Sequence, residues 1–124
     1  METTLDILKA LSDKNRLRVV SALSRFDELC ACQLVELLEV TGATASRHMG
    51  ILQKAGLINS RKDGRWVYYR LSRPAGSDPL FQWLEKSLAN SAELNADFHS
   101  LEKIVGITRE ELCRMQRGET CCPK

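Results

Sequence analysis

The dipeptide Asp63-Gly64 constrains this chain more than any other feature. It separates two β-prone runs, Leu57-Ile58-Asn59-Ser60-Arg61-Lys62 and Arg65-Trp66-Val67-Tyr68-Tyr69-Arg70-Leu71. Asp-Gly in that setting marks a tight hairpin, because both central residues of the expected turn need positive φ. Around the hairpin the spacing is helical. Leu5, Leu8 and Leu11 mark a short amphipathic helix. Ser12 reads as the N-cap of a second helix bearing Leu17, Val20 and Leu23 on one face. Phe26 to Cys30 reads as a break before a third helix, from about Cys32 to Glu39. Thr41-Gly42 marks a tight turn and cap. A fourth helix follows from about Ala43 to Lys54, with Ala45, Met49 and Leu52 as its buried stripe and Gly56 stopping it. Ser77-Asp78-Pro79 starts a long helix that carries Leu80, Trp83, Leu84 and Leu88, then Phe98 and Leu101. Thr108 caps a final short helix, with Glu111 completing a capping box.

This order predicts a mainly α fold with a small β-hairpin (α+β), arranged as a winged helix-turn-helix. At 124 residues there is room for one core. We expect residues 1–106 to form the winged helix-turn-helix and its dimerisation surface, and residues 107–124 a short helix and a cysteine-containing tail. No apolar run is long enough for a membrane span. The start of the chain is acidic where a secretory signal would be basic, so a cytoplasmic location is expected.

Charge distribution is more informative than the net charge of +2. Residues 41–73 hold seven basic side chains, Arg47, Lys54, Arg61, Lys62, Arg65, Arg70 and Arg73, against the single acid Asp63. A basic centre between acidic arms suits a nucleic-acid surface, although a merely solvated stretch would look the same. Winged helix-turn-helix geometry places the fourth helix in the major groove of double-stranded DNA. A 100° step per residue turns Ala43, Ser46, Arg47, Gly50 and Lys54 outward, with Thr44 at the margin. Arg47 can grip a guanine edge, while Ser46 and Thr44 can serve bases or phosphates. Gly50 reads either as a close-approach point or as a neutral surface glycine. His48, near the edge of the stripe, reads as half-packed or as a phosphate contact. Arg61, Lys62 and Arg65 crowd the hairpin tip, poised for phosphates or the minor groove. Trp66, Tyr68 and Tyr69 read as hairpin packing.

The five cysteines cluster as Cys30/Cys32, Cys113 and Cys121/Cys122. In a reducing compartment such clusters point to metal or redox chemistry rather than disulfides. Residues two apart on a regular helix are rotated by about 200°. Cys30 and Cys32 can therefore grip one ion only if Cys30 precedes the helix or the first turn unwinds.

The run Thr44-Ala45-Ser46-Arg47-His48-Met49-Gly50-Ile51-Leu52-Gln53-Lys54-Ala55-Gly56-Leu57-Ile58 resembles the recognition helix of the ArsR/SmtB metalloregulators. Arg61 to Leu71 is similar to that family's wing, and Ala10 to Arg18 to its N-terminal signature. The likeness covers roughly residues 4–90. It implies a homodimeric repressor, paired through its first and last helices, that leaves operator DNA when inducer binds. Glu28-Leu29-Cys30-Ala31-Cys32-Gln33-Leu34 resembles the sensing sequence of the arsenical-resistance repressors, which implies As(III) or Sb(III) as inducer on Cys30 and Cys32. Val35 stands where some relatives carry a third cysteine. A third thiolate must then come from Cys113, Cys121 or Cys122. Asp97, His99, Glu110 and Cys113 resemble the spacing of a Zn(II) site in zinc-sensing relatives, with altered ligand types at Glu110 and Cys113. The alternatives are a repressor answering to Zn(II), Cd(II) or thiol oxidation and, more remotely, a small thiol reductase. No Cys-x-x-Cys motif supports the last, and the chain is expected not to be an enzyme.

Overall fold

The computed structural model describes residues 1–116, with Cys113 described by its backbone only. Seven helices and three strands follow in the order α1 Glu2–Leu11, α2 Lys14–Arg25, β1 Leu29–Cys30, α3 Ala31–Leu38, α4 Gly42–Lys54, β2 Ile58–Asp63, β3 Trp66–Leu71, α5 Asp78–Leu88, α6 Ala92–Ile104 and α7 Arg109–Met115 among the described residues. Helix α3, the tight turn and α4 form the helix-turn-helix, and β2–β3 is the wing, as the sequence pattern requires.

The sheet has an unforeseen third strand. Its order is β1-β3-β2, all antiparallel. Leu29 pairs with Tyr69 and Cys30 with Tyr68, so the supposed break at Phe26 to Cys30 is partly sheet. The wing turn also sits one residue later than expected. Asp63 pairs with Trp66, which leaves Gly64-Arg65 as the central residues, and only Gly64 has positive φ (63°).

Two helix boundaries differ from the sequence reading for one reason, local capping. Asp13, not Ser12, caps α2 by accepting the Arg16 N–H at 3.1 Å. Ser12 instead donates to the Leu8 carbonyl at 2.7 Å and closes α1. The expected long helix from Pro79 is two helices, because Ser91 starts a new one by accepting the Leu94 N–H.

Leu34, Leu52, Leu57, Ile58 and Leu101 are fully buried, with Val19 from α2 among them. Leu112 brings α7 into this same core. Ala45, Met49 and Leu52 of α4 face inward as predicted. The core therefore fixes both α4 and the segment that carries Cys30 and Cys32.

Candidate nucleic-acid interface and thiol centre

Thr41 starts α4 by accepting the Thr44 N–H at 3.2 Å. The helix then exposes Ala43, Ser46, Arg47, Gly50, Gln53 and Lys54 along one side. Thr44 is half-buried, and its hydroxyl accepts from that of Thr41 at 3.0 Å, so the cap already occupies it. A Cβ at Gly50 would meet nothing within 4 Å. No packing within the chain demands glycine there. Gln53 donates to Ser60 at 2.9 Å and ties the exposed side of α4 to the wing.

On the wing, Arg61, Lys62 and Arg65 are exposed. Arg61 is not a loose cation. It forms a bidentate pair with Glu28 at 2.6 and 2.7 Å and lies over the Tyr68 ring. The Arg61 hydrogen bonds hold the Glu28 carboxyl below its usual range. Any phosphate contact by Arg61 must compete with this pair. Arg65 covers Trp66 at 5.1 Å. Trp66, Tyr68 and Tyr69 pack half-buried against the core, in keeping with a structural role.

His48 needs a correction. It is 5% exposed, on the inner side of α4, with Nδ1 at 3.2 Å from Arg16 Nη1 and 3.8 Å from Asp13 Oδ2. In this structure it is not placed to meet a phosphate.

The thiol pair takes the first of the two geometries open to it. Cys30 has extended backbone (φ −73°, ψ 150°) and serves as the N-cap residue of α3, while Cys32 sits in the first turn. Leaving the helix at Cys30 cancels the rotation that would separate the two side chains. The Cys32 thiol donates to the Cys30 sulfur at 3.0 Å, far longer than the roughly 2 Å of a disulfide. Both residues are fully buried. Gln33 completes the cap by accepting the Cys30 N–H through Oε1 at 2.7 Å. The Cys32 hydrogen bond, aided by the positive charge of Arg109 and opposed by burial, brings the Cys30 thiol down to about 7. A thiolate is thus accessible near neutral pH, and the thiolate is the form that binds soft ions.

Helix α7 packs on α3 beside this pair. The Arg109 guanidinium lies 5.4 Å from the centre of the Tyr68 ring, and Tyr68 is the strand partner of Cys30. Gln116 donates to the Cys32 carbonyl and to Glu36, both at 3.1 Å. Arg109 Nε and Gln116 Oε1 are buried without a hydrogen-bond partner among the described residues. Cys113 lies four residues after Arg109 and three before Gln116. Cys121 and Cys122 lie outside the described residues.

With this geometry in view, the similarities to known proteins are specific. A family model described as "Bacterial regulatory protein, arsR family" matches residues 13–60. The arsenic resistance transcriptional regulator ArsR1 of Pseudomonas putida is 34% identical over 94 residues, covering 76% of this chain and 70% of that protein. The chain belongs to the ArsR family. The cadmium resistance regulatory protein CadC of Listeria innocua is 48% identical over 61 residues, 49% of this chain. That match spans only 51% of CadC, about half of its length. Among solved structures, HlyU from Vibrio cholerae superposes with a TM-score of 0.63 at 27% identity, over 72% of this chain and 95% of HlyU. The winged-helix fold of this ArsR-family chain is thereby established.

The zinc-type spacing fares differently from the thiol pair. Asp97 accepts Arg18 through both oxygens at 2.9 Å, and the exposed His99 faces Glu102 at 3.5 Å. Among the described residues no group of three or more His, Cys, Asp or Glu side chains is arranged to hold a metal ion. No helix of the described residues is long and apolar enough to cross a membrane. The sequence reading missed Glu28, Gln33, Arg109 and Gln116 as parts of these two sites. Only Gln33 carried a local signal, since it stands three residues after Cys30, where a capping-box side chain belongs.

Proposed function

We propose that this ArsR-family chain is a transcriptional repressor that binds operator DNA as a homodimer and is released when As(III) or Sb(III) binds its cysteine thiolates. The observation that carries the reading is the buried Cys30/Cys32 pair, sulfurs 3.0 Å apart, at the joint between the wing sheet and α3. Two thiols on one side suit a thiophilic metalloid that takes three, and the C-terminal segment is the source of the third, with Cys113, Cys121 and Cys122 as donors. Arg47, Ser46 and Lys54 read the major groove, and Lys62 and Arg65 grip backbone outside it.

A second reading has its own support. CadC is similar at 48% identity, so Cd(II) or Zn(II) is the alternative inducer class. One experiment separates them. A duplex is selected by the protein from a random-sequence pool, and a mobility shift at fixed salt is run in full reductant with arsenite, antimonite, cadmium or zinc. Release by arsenite or antimonite at far lower concentration than by the divalent ions is the expected result. Release by cadmium alone would move the assignment to the divalent class, and recovery of no selected duplex would end the repressor reading.

Homodimerisation rests on exposed apolar surface on α1 and α5. Leu5 and Leu8 on α1 are 44% and 49% exposed, and Trp83 on α5 is 61% exposed. Surface of this kind is commonly covered by a partner. Trp83→Glu is expected to shift the protein toward monomer by analytical ultracentrifugation, with operator affinity falling in parallel. A dimer undisturbed by both Trp83→Glu and Leu8→Glu would place the interface elsewhere.

A further inference from the structure

His48 and Arg16 are unused by the thiol mechanism and are too well placed to be incidental packing. Arg16 donates from Nε to the Ala10 carbonyl at 2.7 Å and from Nη2 to the Lys9 carbonyl at 3.4 Å, both in the last turn of α1. Its Nη1 donates to Nδ1 of His48, on the inner side of α4, at 3.2 Å. An arginine can only donate, so His48 Nδ1 must accept and the imidazole proton sits on Nε2. One guanidinium therefore spans the end of α1 and the middle of the helix that carries Arg47.

We propose that the Arg16–His48 contact is the positioning joint that sets α4 against α1, and that protonation of His48 opens it. The inference rests on the reading that α4 enters DNA. A second proton on the imidazole would turn the acceptor into a donor and set two cations 3.2 Å apart. The groups facing His48 are Asp13 and Arg16 of the α2 end and Arg47 of α4. Burial, seconded by Arg16 and Arg47 and opposed by Asp13, lowers the imidazole below its ordinary range. A lowered histidine favours the folded joint above the unfolded value near 6.5 and loses that contribution as pH falls. Because α1 carries part of the exposed apolar surface, the same joint links the pairing surface to the reading helix.

The test compares the wild type with His48→Asn, whose Oδ1 can still accept from Arg16 but cannot titrate. Affinity for the selected duplex is measured at constant ionic strength from pH 7.5 to 5.5. Relative to His48→Asn, the wild type should weaken on acidification by up to about fivefold over this range, the full factor when the opened joint binds the proton about ten times more tightly than the closed one and is the main form of the free protein. Taking this ratio cancels the titration of every group that both proteins share. Relative strengthening of the wild type would mean that His48 meets a phosphate, and identical profiles would mean that the contact sets nothing. Either result overturns the proposal.

A DNA-free reading guards against a failed variant. The ¹⁵N shifts of the wild-type imidazole should report the Nε2–H tautomer and a titration below the ordinary histidine range. The tautomer preference should be lost in Arg16→Ala while the titration moves only part of the way back, because burial remains its main cause, and an Nδ1–H tautomer in the wild type would rule the joint out. If no duplex is bound at any pH while these shifts hold, the DNA reading has failed and the joint has not.

Discussion

Replacing Cys30 and Cys32 together by serine is expected to leave a protein that binds its selected duplex normally and no longer lets go when arsenite is added. In the wild type, arsenite should weaken binding by roughly 5- to 150-fold, the usual range of coupling between two sites. In the double variant the change should fall within experimental error. The reasoning starts from where Cys30 sits. Its backbone belongs to β1, paired to Tyr68 of the wing strand, and its N–H is held by Gln33 of α3. A ligand that draws the two sulfurs toward a third donor pulls on wing and helix together. Helix α3 packs on α4, so displacing its first turn disturbs the seating of the reading helix. Because well-packed elements have few alternative arrangements, a small shift at the thiols becomes a change of population rather than a gradual bend. Anaerobic titration in excess reductant, followed by mobility shift, checks the result. Release that persists in the double variant would place the sensing site elsewhere in the chain. Release that appears only on oxidation would transfer the switch to thiol redox chemistry.

The legible parts of the molecule were those whose causes are local. The cap at Thr41, the stripe Ala45, Met49 and Leu52, and the stop at Gly56 all lie in or beside one helix, and each was where its spacing placed it. The wing followed from β-prone runs around a glycine, although the pairing of Asp63 with Trp66 moved the turn by one residue. What escaped depends on partners distant in sequence. Strand β1 is two residues long, too short to show alternation, and exists only because β3 lies beside it. The split between α5 and α6 is a different case, because local signs of it exist: Ser91 supplies a cap, and the step from Leu88 to Leu94 breaks the helical spacing. The Glu28–Arg61 pair joins residues 33 apart, and the Arg16–His48 contact residues 32 apart. No window of periodicity sees either. The thiol pair lay between these cases: residue type and spacing framed two geometries, and only the backbone at Cys30 decided between them.

The second large effect is expected at Arg47. Arg47→Ala should cost about 1–3 kcal/mol in affinity for the selected duplex, roughly 5- to 150-fold, and should relax base preference at one position of each half-site. Arg47 is exposed on α4 beside Ser46 and Gly50, with open space where a Gly50 side chain would otherwise stand. Its guanidinium is therefore free to present a planar fork to a guanine edge, a geometry that lysine cannot reproduce. The informative control is Lys62→Ala on the wing. Lys62 lies in β2, two residues before the turn at Gly64, and is exposed. A phosphate contact there would weaken binding about equally for every sequence and reduce the salt slope by about one. Arg47→Ala should instead lower the ratio of selected to random duplex affinity, with a smaller change in slope. Binding titrations of both variants on both duplexes across a salt series separate the two roles. If Arg47→Ala lost affinity equally on every duplex, Arg47 would be a backbone anchor, and base reading would have to be sought at Ser46 and Lys54. If neither variant changed binding, α4 would not be the surface that meets DNA.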